Sequence, residues 1–74
     1  MKQVMITVLI DEAYRNSIAK LADRMIEAGM TIDQRLDAIG VITGKTENSA
    51  ISSIAKLEGV ARVEKQSSLK AIKY

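Results

Sequence analysis

The sequence predicts a small α+β domain in the order strand, helix, strand, strand, helix, strand, and three observations predict it. A short apolar run rich in β-branched residues opens the chain at residues 4–10. Two later stretches repeat their apolar residues at helical spacing, and each is closed by a glycine, Gly29 and Gly59. Each glycine is followed by a segment with strand character, so the chain reads as two halves with matching punctuation.

Residues 4–10, VMITVLI, are too few for more than two helical turns and fit a central strand better than a helix. Alternation places Val4, Ile6, Val8 and Ile10 on one face and Met5, Thr7 and Leu9 on the other. Both faces are at least partly apolar, so the second is either covered or a binding surface. Asp11 is placed to cap a helix over residues 12–28, with Tyr14, Ile18, Leu21, Ala22 and Met25 as its apolar stripe. Arg15, Asn16, Lys20, Asp23, Arg24 and Glu27 fall outside that stripe, and Gly29 ends the helix. From Met30 the pattern becomes period two, with Met30, Ile32, Gln34 and Leu36 set against Thr31, Asp33, Arg35 and Asp37, as in a half-buried edge strand.

A tight turn at Asp37-Ala38 leads into a third strand beginning Ile39-Gly40-Val41-Ile42, which Gly44-Lys45-Thr46 is expected to break. Thr46 is expected to cap the second helix, with Glu47 adding negative charge at the positive end of its dipole. Ala50, Ile51, Ile54, Ala55 and Leu57 form the stripe of that helix, leaving Asn48, Ser49, Ser52, Ser53 and Lys56 to water. Gly59 suits a left-handed cap, with Val60 folding back as in a Schellman ending before the chain extends to Lys65. Two interleaved βαβ halves of this kind make the split arrangement of ferredoxin-like folds: a four-stranded antiparallel sheet with both helices on one face and the other face open. The expected division is a ferredoxin-like domain over residues 1–66 and an extended tail over residues 67–74.

Seventy-four residues, 47% hydrophobic and 27% charged, make one small globular domain. With no Phe, Trp or Cys, its core rests on ten Ile with Leu, Val, Met and Ala. A stability of about 3–5 kcal/mol is expected for a chain of this size. Of the net charge of +2, residues 62–74 carry +3 through Arg62, Lys65, Lys70 and Lys73 against Glu64, leaving −1 elsewhere. The basic part is therefore the tail, either as a solvated end or as a contact for an acidic surface. The apolar run 4–10 is too short for a signal peptide or a membrane span, so no membrane partner is expected. The expected location is the cytoplasm if the chain is complete, and extracellular if it is an excised prodomain.

The sequence contains no His and no Cys, which removes imidazole bases, thiol nucleophiles and the usual zinc and copper ligands together. The chain is expected to have no catalytic residues, no metal site and no cofactor. The acidic pairs Asp11-Glu12 and Asp33 with Asp37 read as structural, at a helix start and on an edge strand. Gly40-x-x-x-Gly44-Lys45-Thr46 has the residues of a phosphate-binding loop, but its glycine spacing is one residue short and its strand context antiparallel. The strands carry no aromatic residue for stacking bases, so no nucleic-acid partner is expected.

Three stretches carry a likeness to a known family. Ile39-Gly40-Val41-Ile42-Thr43-Gly44-Lys45 looks like a Gly-Phe-Thr-Gly-Lys strand, the second helix ends in Leu57-Glu58-Gly59-Val60, and Val63-Glu64-Lys65-Gln66 is similar to a Val-Glu-Glu-Asp segment. The chain thereby resembles the propeptide-like inhibitors of subtilisin-type serine proteases, which include the subtilisin prodomain and the stand-alone inhibitors of yeast proteinase B. The resemblance implies an open sheet face packed on two protease helices, acidic residues at the end of the last strand capping those helices, and a tail lying in the active-site cleft. On that alignment Glu64 matches the first acidic residue, while Lys65 and Gln66 stand in place of the second acid and the Asp. Ala71, Ile72, Lys73 and Tyr74 would be the tail residues in the cleft, with a small side chain four places before the cleavage point and an aromatic at it.

The resemblance thus implies a binding protein, inhibitor or folding chaperone, whose partner is a subtilisin-like serine protease. The alternative is a small regulatory module that forms a homodimer or binds a small ligand through the sheet, and it needs no tail.

Overall fold

The structure, a computed structural model, describes residues 3–65. Strand β1 (Gln3–Ile10) leads into a 3-10 segment (Glu12–Ser17) and helix α1 (Ile18–Glu27). Strands β2 (Thr31–Leu36) and β3 (Val41–Glu47) follow, then a short 3-10 segment (Asn48–Ala50), helix α2 (Ile51–Ala55) and strand β4 (Val60–Lys65). The strands form one sheet in the order β2-β3-β1-β4, every neighbouring pair antiparallel. This is the α+β, ferredoxin-like arrangement expected from the sequence.

Alternation in β1 decides which face is covered. Ile6, Val8 and Ile10 are buried with Ile18, Leu21, Ala22 and Met25 of α1 and Ile54 of α2, while Val4, Ile51 and Leu57 pack at the edge of that cluster. Met5, Thr7 and Leu9 point the other way, to the face that no helix covers among the described residues. Asp11 caps as expected, its Oδ1 accepting from the Ala13 amide at 3.0 Å, although the first turns wind as a 3-10 helix. Among the described residues, no helix is long and apolar enough to cross a membrane.

The Schellman ending lies at Gly29, not at Gly59. The Met30 amide donates to the Met25 carbonyl at 3.0 Å and the Gly29 amide to Ile26 at 2.9 Å, with Gly29 at φ +106°. Met25 and Met30, the residues flanking that motif, are both in the core. At the second helix α2 has already stopped at Ala55, and Gly59 is instead the left-handed third residue of a turn closed by Val60 donating to Leu57 at 3.1 Å.

Three further expectations are corrected in the middle of the chain. The third strand does not start at Ile39 or break at Gly44-Lys45-Thr46: residues 37–40 form the turn, and β3 runs unbroken to Glu47. Gly44 is there for space. A Cβ on it would run into the Thr31 carbonyl oxygen and lie 2.9 Å from Met30 Cε, so its bare backbone lets the start of β2 and the Met30 side chain come in close. Thr46 is a strand residue rather than a cap, fully buried opposite Val4, as its β-branched side chain favours. Glu47 takes the capping position without a side-chain bond.

The even alternation expected of β2 also fails halfway. A bulge between Ile32 and Gln34 leaves Asp33 unpaired and flips the remainder of the strand. Ile32 stays under the helices opposite Gly44, whereas Gln34 and Leu36 face Thr43 and Val41 on the open side.

Thr46 Oγ1 is buried with no hydrogen-bond partner, and such a hydroxyl costs about 1–3 kcal/mol. Thr46→Val is expected to raise the urea midpoint at an unchanged slope, by about 1 kcal/mol in stability; a lower midpoint would mean the hydroxyl is bonded. Gly44→Ala is expected to cost about 2 kcal/mol or more through overpacking against the rigid Thr31 backbone, and a neutral result would show that β2 can move aside.

Candidate functional site

The register of the sheet builds a surface in three rows on the face opposite the helices. Leu36, Val41, Leu9 and Arg62 form the first row, Gln34, Thr43, Thr7 and Glu64 the second, and Thr31, Lys45 and Met5 the third. Leu9, Val41, Thr7 and Thr43 lie on the two central strands and are half-buried, with no helix above them among the described residues. Leu36 and Met5 are 38% exposed at opposite corners. The surface is therefore apolar in its first row, hydroxylated across its middle and charged only towards its rim. At a strand spacing of about 4.8 Å and a two-residue step of about 6.7 Å, it covers roughly 15 Å in each direction.

Glu64 stands on this face, opposite Thr7 at the β4 side. Its Oε2 forms an ion pair with Arg62 Nη2 at 3.1 Å, with both side chains more than half exposed. An exposed pair of this kind is worth about 0–1 kcal/mol, so Glu64 is held but easily released. Gln66, Ala71, Ile72, Lys73 and Tyr74, the other residues expected at the site, lie outside the described residues. Thr43, Lys45, Gln34 and Leu36 were not legible as members of this face. Recognising them required the unbroken β3 and the bulge in β2, and the only sequence signal was the Thr-Gly-Lys alternation within β3.

On the helix side, Tyr14, Ser17, Lys20, Leu21, Arg24 and Glu58 line a cleft of about 150 Å³. Ligand pockets commonly hold about 300–1,000 Å³, so this one is small for a metabolite. Tyr14 ties the 3-10 segment to the turn before β4: its ring packs on the core and its hydroxyl donates to Glu58 Oε2 at 2.6 Å. The hydrogen bond to Glu58 and the nearby Glu58 charge both raise the Tyr14 pKa above its ordinary value, with smaller contributions from desolvation and Asp11. The folded state therefore holds this proton more tightly than the unfolded one. The resulting stability is present below the unfolded value near pH 10 and is lost as pH rises through the folded value. Wild type is expected to lose more stability than Tyr14→Phe between pH 9 and pH 11 in urea titrations; parallel pH profiles would sink the linkage.

Comparison with protein-family models, with curated proteins and with solved structures found no match for this chain.

Proposed function

We propose that this chain is a binding protein of the propeptide type, an inhibitor or folding chaperone of a subtilisin-like serine protease. The observation that carries the reading is the uncovered sheet face, neutral across its centre with Glu64 at the rim of β4. In this reading two protease helices pack on the face, and Glu64 accepts from the free amides at a helix N-terminus. The likeness of residues 39–45, 57–60 and 63–66 to the propeptide-like inhibitors supports the same partner.

Size requires a second contact. A stable interface buries about 800 Å² on each partner, several times what the sheet face offers alone. Residues 67–74 follow β4 in sequence, and eight extended residues reach about 27 Å. In the proposed complex this segment adds a strand in the protease cleft, its backbone supplying hydrogen bonds while Ala71 and Tyr74 fill alternate pockets.

Titration of a subtilisin with the intact chain is expected to give stoichiometric inhibition. Loss of a buried aromatic anchor costs about 2 kcal/mol, so Tyr74→Gly is expected to weaken inhibition by at least about tenfold with the thermal midpoint nearly unchanged. Thr43→Arg, at the centre of the sheet face, is expected to weaken it as well. No inhibition by the intact chain, or equal inhibition by the Tyr74→Gly form, would overturn the proposal.

A further inference from the structure

The two outer edges of the sheet are built differently. Edge strand β2 is interrupted by the Asp33 bulge, and its Arg35 is turned back onto Asp37 at 2.8 Å, features that discourage pairing with another strand. Strand β4 has its irregularity at its start, between the Val60 and Arg62 pairings, and from Arg62 to Lys65 it follows β1 in regular register. Among the described residues β4 has a neighbour on its β1 side alone. Its edge carries charges of both signs, Arg62 and Glu64 together on the open face, with Val63 between them facing the helix side.

We propose that the outer edge of β4 pairs with β4 of a second copy of this chain, antiparallel and centred on Val63. A two-fold axis there puts Arg62 of each copy directly opposite Glu64 of the other on the open face, and the two Val63 side chains side by side on the helix face. Opposite charges facing each other across antiparallel strands stabilise the pair, and like charges facing each other destabilise it. That rule selects the register. The neighbouring registers that keep both helix layers on one side are shifted by two residues, and they set Arg62 against Arg62 or Glu64 against Glu64. The surface is thus self-complementary, as an isologous dimer requires, and the product is a continuous eight-stranded sheet with its two open faces on the same side.

The inference does not rest on the protease reading, and its experiment contains no protease. Sedimentation equilibrium at low salt, where exposed charges are least screened, is expected to show the 8.1 kDa chain approaching twice its mass as concentration rises. Arg62→Glu alone and Glu64→Arg alone are each expected to weaken self-association by about tenfold or more. An equimolar mixture of the two single variants is expected to restore it, because each then meets the opposite charge, and so is the double swap R62E/E64R in one chain. Both side chains are more than half exposed, so the variants keep their fold, which circular dichroism checks. A wild-type chain that stays monomeric up to its solubility limit overturns the proposal. So do single variants that associate as tightly as wild type, or a mixture that fails to recover.

Discussion

The constraint on which this structure depends is the burial of one face of β1. Ile6, Val8 and Ile10 form the floor of the core, and β1 is also the strand that β3 and β4 pair with on either side. Its outward ladders therefore position the sheet while its inward side chains position the helices. The helix layer is thin, since α2 has one turn and a half, Ile51–Ala55, with Ile54 as its buried residue. With no aromatic residue among the fully buried ones, the core is filled by smaller side chains, so the elements approach closely. The approach of the Thr31 carbonyl and the Met30 side chain to Gly44 is a close one.

The order and class of the elements were legible because each depends on local periodicity. Val4 to Ile10 alternates, α1 places Ile18, Leu21, Ala22 and Met25 on one stripe, and Asp11 caps where a short acidic residue precedes that stripe. What was not legible depends on tertiary contacts. Gly44 reads as a strand breaker on its own and is tolerated in β3 because the Thr31 carbonyl and the Met30 side chain fill the space a side chain would take. Thr46 reads as a cap, since nothing local distinguishes a capping threonine from a strand threonine whose hydroxyl is buried without a partner. The bulge at Asp33 leaves the alternating pattern of β2 intact in sequence while moving Gln34 and Leu36 to the other side. Four of the eleven residues of the candidate face were thus hidden for a physical reason: their membership is a property of register, which no single strand contains.

The uncovered face is tolerable to the free protein because its most central positions are threonines. Thr7 and Thr43 lie opposite each other on the two inner strands, where β-branched side chains fit the sheet and carry polar hydroxyls rather than apolar bulk. Apolar surface is confined to the first row and to the Met5 corner, below the several hundred Å² at which a monomer becomes prone to nonspecific association. A face composed this way is suited to a partner that brings its own polar groups to the middle and apolar groups to one end.

Arg62 and Glu64 link the two proposed contacts. In the free chain they neutralise each other on one edge of the face, and the exposed geometry makes that pairing weak, on the order of 0–1 kcal/mol. Either contact requires Glu64 to exchange its partner, for a helix N-terminus in one case and for the Arg62 of a second copy in the other. The exchange costs little because the ion pair given up is exposed and weak. Both contacts therefore draw on a single carboxylate, and a copy held in the edge-paired dimer has to release its neighbour's Arg62 before Glu64 can turn to a protease helix. On the two proposed contacts taken together, self-association opposes inhibition through Glu64 alone, without any change in the fold.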